Sequence, residues 1–186
     1  ENGGFYDISG KDHSILIRSK EWYDGAEPTG NSIAILDLLR LSQMIDNPEY
    51  RDLADRSLAY FGERMLTYPQ GMPQFLVALD FSLAKPKQII IAGEVSNPHT
   101  EALLKEVHSR FIPNKIILLA DGSEGQKMLS SYMPFLESIR MINGRPTAYI
   151  CEDYACELPT SDLAVVSRLL GKGVANRKNT ESRSVR

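Results

Sequence analysis

The spacing of apolar residues changes near residue 85. Before this point apolar residues recur three and four positions apart, which is the spacing of one face of an α-helix. After it, short apolar runs rich in isoleucine and leucine alternate with stretches of helical spacing, which is typical of βαβ units. The pattern therefore predicts a helical region over 1–85, a small α/β region over 86–171 and a flexible basic tail over 172–186.

Three helices are predicted in the first region. The first, over 32–46, has only a narrow polar stripe and therefore needs neighbours that cover most of its surface. The second begins with Asn47 as its cap and Pro48 in its first turn, and one of its faces is charged. The third spans 72–84 and ends before Pro86. This alternation of enclosed and half-exposed helices predicts stacked αα-hairpins.

A β-hairpin is predicted before these helices. Residues 5–8 and 14–18 flank Ser9-Gly10-Lys11-Asp12, whose glycine and aspartate suit a tight turn between two strands. The chain starts at Glu1 with a sequence typical of the middle of a domain, so we expect a piece of a longer protein. In such a piece, apolar surface around residues 33–45 would be uncovered and would promote self-association.

The second region is predicted to form a small open sheet, mainly parallel, with helices packed against it. Its strands are expected at 88–92, 115–119 and 147–151. Its helices are expected after the cap Asn97, over 124–133 and over 161–170. The fold class that follows is α/β plus all-α.

Composition excludes several classes of protein. The 186 residues are 42% hydrophobic and 24% charged, which is typical of a folded protein and not of a disordered chain. No apolar stretch reaches the roughly 20 residues of a membrane span, so no membrane partner is predicted. The net charge is −3 although the tail is basic, so the rest of the chain is too acidic for a nucleic-acid surface. We expect a soluble, cytoplasmic protein, since two cysteines are too few for a disulfide framework.

The loop before the first helix contains the candidate active site. Asp24 and Glu27 are candidate catalytic residues that could act as acid or base. Trp22, Tyr23 and Asn31 are candidate substrate-binding residues, because aromatic and amide groups beside carboxylates suit contacts with a sugar or a peptide. The alternative is that the loop only caps the helix, since acidic and amide side chains are favoured at helix N-termini.

Two other places could carry chemistry. The turns 93–97 and 122–125 follow predicted strands, where parallel sheets often bind phosphates, but neither has a nucleotide-binding fingerprint. Cys151 and Cys156 are redox candidates, yet their spacing differs from the C-x-x-C of redox and zinc sites. Two buried reduced thiols are therefore favoured, with a structural or switchable disulfide and a zinc site as alternatives. No metal and no cofactor is predicted.

Three stretches of sequence carry a resemblance to a known family. Residues 23–32 (YDGAEPTGNS), 111–115 (FIPNK) and 145–156, which include both cysteines, resemble the C-terminal part of the spermatogenesis-associated, thioredoxin-domain-containing family of YyaL-like proteins. Members combine an N-terminal thioredoxin-like domain with an (α/α)6 toroid similar to six-hairpin glycosidases and N-acylglucosamine 2-epimerases. The resemblance implies that residues 1–85 form the terminal αα-hairpins of such a toroid, and that the thioredoxin-like domain lies outside this sequence.

Two functions follow as hypotheses. The first is a carbohydrate-active, epimerase- or glycosidase-like enzyme in which Asp24 or Glu27 acts on a sugar-like small molecule. The second is a non-catalytic structural or interaction module whose partners are the other domains of a longer chain, with redox chemistry in the thioredoxin-like domain. The resemblance also raises disulfide exchange between that domain and Cys151 and Cys156. A likeness of fold does not decide between these functions.

Overall fold

The computed structural model describes residues 2–11, 14–45, 47–152 and 155–171. The chain divides after Lys85 into two compact units. The predicted basic tail over 172–186 lies outside the described residues. No helix in the described part of the chain is long and apolar enough to cross a membrane.

The first unit contains three α-helices that pack around one core. They are α1, Gly30–Leu41; α2, Pro48–Thr67; and α3, Pro73–Leu83, with a short 3-10 helix, Pro69–Gly71, between α2 and α3. Helix α1 packs against both α2 and α3. The fully buried side chains at the centre include Ile35, Leu39, Phe61, Phe75 and Phe81. Each of the three phenylalanines buries a large apolar area, so together they contribute strongly to the stability of this core.

The N–H groups in the first turn of each helix find their hydrogen-bond acceptors in different ways. Thr29 is the N-cap of α1, and its hydroxyl accepts a hydrogen bond from the Ser32 N–H at 3.1 Å. Asn47 caps α2, as predicted, by accepting from the Glu49 N–H at 3.0 Å. Helix α3 begins after Met72, which supplies no capping side chain. Its cap comes from a distant residue of the candidate active-site loop.

Several apolar side chains of the first unit lie on its surface. They are Ile33 on α1, Leu66 on α2, and Leu76, Val77 and Leu83 on α3. The opposite face of α1 is buried in the core of the unit, so the cover predicted for most of this helix is present on one side within the unit. The toroid that would cover the exposed residues stays a prediction.

The predicted β-hairpin is wrong for the described residues, which contain no strand before α1. A backbone hydrogen bond and several side-chain hydrogen bonds join the two segments instead. The Asp7 N–H donates to the Ser19 carbonyl at 2.9 Å, and the Ser19 N–H and hydroxyl donate to the Asp7 carboxylate at 3.1 and 2.6 Å. The Arg18 guanidinium donates to the Ile8 carbonyl at 3.0 Å. Short polar side chains of this kind compete with a β-ladder for the backbone groups.

The second unit is built on a four-stranded sheet. Its strands are β1, Lys87–Ala92; β2, Lys115–Ala120; β3, Thr147–Glu152; and β4, Ala155–Cys156, and its helices are α4, Pro98–His108; α5, Glu124–Ser130; and α6, residues 163–171. The strand order is β2-β1-β3-β4. Strands β1 and β2 are parallel neighbours connected through α4, which confirms the predicted βαβ unit. Buried side chains from β1, β3, α4 and α6 form the core.

The prediction of a mainly parallel sheet is wrong, because β3 runs antiparallel to β1 and β4 runs antiparallel to β3. Helix α5 has only 7 residues, so it rises about 10 Å, whereas the six-residue strand β2 is about 20 Å long. It therefore cannot return the chain to the other end of the sheet. Asn143 and Gly144, both with positive φ, then reverse the chain, and β3 starts at Thr147 beside the end of β1 at Ala92.

Candidate functional site

A cleft lies at the carboxyl ends of the parallel strands β1 and β2. Its volume is about 400 Å³. Strand β1 leads into Gly93 and Glu94, and β2 leads into residues 121–123, and all of these residues line the cleft. The two turns that the sequence analysis selected therefore meet at one place. Ligands of α/β proteins usually bind outside the carboxyl ends of the strands.

The side chain of Gln126 on α5 joins the walls of this cleft. Its Nε2 donates to the carbonyls of Leu136 and Ile139 at 2.8 and 3.2 Å, and its Oε1 accepts from the Gly122 N–H at 2.7 Å. These bonds connect the turn after β2 to the segment that returns to β3. The shape of the cleft therefore depends on one amide side chain as well as on the backbone.

Gly93 follows β1 and lies close to Thr100 in the first turn of α4. A Cβ atom at this position would lie 2.3 Å from the Thr100 hydroxyl and 3.0 Å from Pro146, so only glycine fits without a shift of its neighbours. Thr100 is fully buried, and its hydroxyl has no hydrogen-bond partner within the described ranges. A buried hydroxyl without a partner is uncommon in folded proteins.

Side chains of both charge signs surround the cleft. The acidic ones are Glu94, Asp121 and Glu137, and the basic ones are Lys127 and Arg140. The pKa of Asp121 is lowered, first by a hydrogen bond with the Ser123 side chain and then by one from the Ser123 backbone N–H. This mixture of charges suits a polar ligand, or the charged side chains of a partner protein, better than a polyanion.

The sequence-predicted residue Asp24 is buried, with 6% of its surface exposed. One carboxylate oxygen accepts from the Thr29 N–H at 2.9 Å and the Ser32 hydroxyl at 2.7 Å. The other accepts from the Gln74 and Phe75 N–H groups at 2.9 and 3.3 Å. Asp24 therefore caps α3 from a position 50 residues away in sequence and also holds the start of α1. This geometry favours the capping alternative over an acid or base role.

Asn31 is also buried and bonded to the backbone. Its Oδ1 accepts from the Phe5 N–H at 2.6 Å, and its Nδ2 donates to the carbonyls of Phe5 and Glu21, both at 2.9 Å. The side chain thus pairs with Phe5 in the way that a neighbouring strand would. These three bonds tie the N-terminal segment to α1 and give Asn31 a structural role.

The remaining candidates of the loop lie near the surface. The rings of Trp22 and Tyr23 are 6.1 Å apart, and each lies within 6.4 Å of the Tyr68 ring. Tyr23 and Tyr68 are 55% and 41% exposed, and Glu27 is exposed as well. We call the three rings the aromatic patch. The structure therefore separates the predicted group, because its aromatic members are accessible whereas Asp24 and Asn31 are not.

Cys151 and Cys156 form a disulfide, so the preference for two reduced thiols is wrong. The two residues are directly opposite each other in the antiparallel pairing of β3 and β4. Cys151 is 8% exposed, whereas Cys156 is exposed. Spacing alone did not identify the bond, because it forms across a strand pair whose register the sequence analysis did not predict. The described residues contain no cluster of three or more metal-ligating side chains.

Three residues that shape these sites were not predicted from the sequence. Tyr68 completes the aromatic patch, Gln126 connects the walls of the cleft, and Arg140 adds a positive charge to it. The position of Gln126 shortly after a predicted strand was a usable signal, because side chains near strand ends meet at one edge of a sheet. Tyr68 and Arg140 gave no local signal, since both reach their sites through tertiary structure.

Comparisons with known proteins support the resemblance found in the sequence. The chain is 38% identical to human spermatogenesis-associated protein 20 and 39% identical to the rat protein of the same name, in each case over 156 residues. These matches cover 84% of this chain and 20% of each relative. An uncharacterized protein of Caenorhabditis elegans is 29% identical over 173 residues, which are 92% of this chain and 23% of that protein.

The chain thus spans about a fifth of the length of the curated relatives it matches. No family model matches it, and no solved structure matches it. The names of these relatives do not mention a reaction, a substrate or a cofactor. The comparisons therefore support the spermatogenesis-associated family and leave the function to the geometry of the sites.

Proposed function

We propose that this chain is a structural and binding module and not the location of acid–base catalysis. The observation that carries the proposal is the environment of Asp24, whose carboxylate accepts four hydrogen bonds from the protein itself. A catalytic acid or base needs an oxygen that can reach a proton of the substrate. An ionised carboxylate has about four acceptor positions, so Asp24 has none left for a substrate.

Exposing Asp24 to a substrate would disrupt the fold. Two of its donors belong to the start of α1 and two to the start of α3, so both helices would lose hydrogen bonds at their first turn. The Asn31 amide is likewise occupied by hydrogen bonds with the backbone of Phe5 and Glu21. The polar residues that made the loop resemble an active site therefore support the loop itself.

The cleft at the ends of β1 and β2 is the place where such a module would bind. Its mixed charges and its volume of about 400 Å³ suit a small polar molecule or the charged side chains of a neighbouring domain. If the resemblance extends to domain organisation, the neighbours are a toroid and a thioredoxin-like domain of a longer chain. Redox catalysis by such a protein would then belong to the thioredoxin-like domain.

Binding and turnover assays on the full-length protein test the proposal. A library of amino acids, sugars and nucleotides is screened by thermal shift, with Arg140→Ala as the cleft variant and Arg145→Ala as a control at an exposed arginine outside the cleft. We expect a hit that Arg140→Ala weakens and Arg145→Ala leaves unchanged. Turnover that disappears in a folded Glu27→Gln protein would show that the chain is catalytic and would end the proposal.

A second candidate function is carbohydrate binding by the aromatic patch. The exposed rings of Tyr23 and Tyr68, and the exposed carboxylate of Glu27 in the same loop as Tyr23, are the observation in its favour, because aromatic faces and carboxylates together suit a sugar. In this hypothesis Glu27 acts as acid or base, and a surrounding toroid encloses the sugar.

A panel of mono- and oligosaccharides tests this second function. Tyr68→Ala should abolish a sugar-dependent thermal shift, whereas Tyr132→Ala, at a 62% exposed tyrosine of the second unit, should not. Glu27→Gln should reduce turnover of the sugar more than it reduces sugar binding. The absence of any shift across the panel would exclude the sugar-binding role.

A further inference from the structure

We propose that the Cys151–Cys156 disulfide is a reversible thiol–disulfide exchange site for a dithiol reductant, and that its reduction releases the segment 155–159 from the edge of the sheet. The inference rests on the disulfide, its exposure and its place in the sheet. It does not depend on the proposed binding function.

The disulfide connects residues that the backbone already places together. Cys151 faces Cys156, and Glu152 faces Ala155, in the pairing of β3 with β4. The Glu157 N–H donates to the Ile150 carbonyl at 2.9 Å. The cysteines are only five positions apart in sequence, so the bond closes a short ring and constrains the unfolded chain little. Oxidised and reduced chains can therefore share one fold, which a reversible site requires.

The two sulfurs differ in accessibility, and this difference gives the exchange a direction. Cys156 is exposed on the edge strand, whereas Cys151 is buried. A reductant thiolate attacks the sulfur that it can reach, so the first bond forms to Cys156 Sγ. The Cys156–Cys151 bond breaks at the same time, and Cys151 leaves as a thiolate that takes up a proton.

The second step completes a two-electron reduction. The second thiol of the reductant, as a thiolate, attacks the reductant sulfur that is bonded to Cys156. Cys156 leaves as a thiolate and is then protonated. The protein disulfide is reduced to two thiols, and the dithiol is oxidised to a disulfide. In the reverse direction, Cys151 is the resolving thiol that displaces a reductant from Cys156.

Reduction would loosen the edge of the sheet and leave its centre unchanged. Residues 155–159 are all exposed, so burial of apolar surface contributes little to their attachment to β3. Strand β3 is held independently, by burial of Ala148 and Ile150 in the core and by the ion pair of Lys87 with Glu152. The end of the segment stays fixed at Thr160, which exchanges two backbone hydrogen bonds with Ala148.

Alkylation and mass spectrometry of the full chain test the exchange. Peptide mapping restricts the label count to the peptides that contain Cys151 and Cys156, the 2 cysteines of this sequence. We expect no label with N-ethylmaleimide alone, and two labels after dithiothreitol without denaturant. Labels without reductant would contradict the disulfide, and reduction that requires denaturant would mean a permanent structural bond; either result overturns the proposal.

Reduced glutathione, a monothiol, tests the direction of attack. Fragment-ion mapping after acid quenching should place the adduct on Cys156, and an adduct on Cys151 would refute the assigned direction. With oxidised glutathione, Cys151→Ser should accumulate a stable adduct on Cys156, because no resolving thiol is left to displace the glutathione. Failure to form this adduct would contradict exchange at Cys156.

Hydrogen exchange tests the release of the segment. Reduction should speed exchange of the Glu157 amide by at least about tenfold, while the amides of Ile89 and Ile91 in β1 keep their protection. Cys156→Ser should reproduce the reduced pattern without any reductant. Unchanged exchange at Glu157 would contradict the release, and loss of protection in β1 would show that the disulfide stabilises the whole unit instead.

Discussion

Replacing Asp24 with asparagine should destabilise the first unit strongly, because the new amide keeps the size of the side chain but loses one acceptor oxygen. The carboxylate accepts from two donors at each oxygen. In asparagine an NH2 group replaces one of the two oxygens. This group is a hydrogen-bond donor, so it cannot accept a hydrogen bond from the backbone N–H groups that face it. In one orientation the N–H groups of Gln74 and Phe75 lose their acceptor, and in the other the N–H of Thr29 does.

The magnitude follows from these donors. A buried donor left without a partner costs about 1–3 kcal/mol, and hydrogen bonds to a charged group are stronger than those to a neutral amide. With one N–H unpaired in the better orientation and the remaining bonds weakened, we expect Asp24→Asn to lower the free energy of unfolding by about 3 kcal/mol. For a unit of this size that loss corresponds to a decrease in Tm of more than about 10 °C.

Urea denaturation followed by tryptophan fluorescence measures this loss. Trp22 is the only tryptophan of the sequence and lies two positions from Asp24, so its signal reports the first unit. Glu27→Gln is the matched control, because it makes the same chemical change at an exposed residue of the same loop. The control should stay within about 0.5 kcal/mol of wild type.

A second comparison separates a lost hydrogen-bond network from a general defect. Ser32 donates its hydroxyl to Asp24 at 2.7 Å, so the two residues should be energetically coupled. The double variant with Ser32→Ala should then cost less than the sum of the two single variants by about 0.5 kcal/mol or more. If Asp24→Asn lowers stability no more than Glu27→Gln does, the capping role of Asp24 is refuted.

Three further results are expected. Gly71→Ala should destabilise the first unit by about 1–3 kcal/mol in the same urea assay, because its Cβ would lie 2.2 Å from the Tyr68 ring. Asn31→Ala should cost about 2–4 kcal/mol, measured the same way, because it leaves buried backbone groups without partners. Asp121 stabilises the folded state above its unfolded pKa, and this contribution is lost as pH falls through its lowered folded pKa. In an NMR titration Ser123→Ala should raise the pKa of Asp121, and an unchanged pKa would exclude Ser123 as the cause.

Sequence patterns predicted the helices and the βαβ unit because both depend on local spacing of apolar residues. Helix α2 begins at its predicted cap, and β1 and β2 occupy the predicted apolar runs. The direction of β3 was not predictable in this way. An apolar run looks the same in either direction, and here the direction depends on the short length of α5 and on the turn at Asn143 and Gly144.

The position of the cleft was predictable, because it follows from where parallel strands end. The disulfide between Cys151 and Cys156 was not predictable from local sequence, since it depends on the register of β3 with β4. The hairpin at residues 5–18 failed for a related reason. Gly10 has the positive φ that suits a turn, but side-chain bonds of Asp7 and Ser19, together with a backbone bond between these residues, join the two segments where a β-ladder was predicted.

Asp24 shows why a polar loop is ambiguous when only its sequence is read. A carboxylate before a helix can be a cap or a catalyst, and both roles favour the same residue types. The deciding quantity is the number of donors that already point at its oxygens. Two of these donors, Gln74 and Phe75, lie 50 and 51 positions away, so no local pattern contains them. Glu27, three residues along the same loop, keeps the exposure that Asp24 lacks, so of the two predicted catalytic residues only Glu27 has a carboxylate that a substrate could reach.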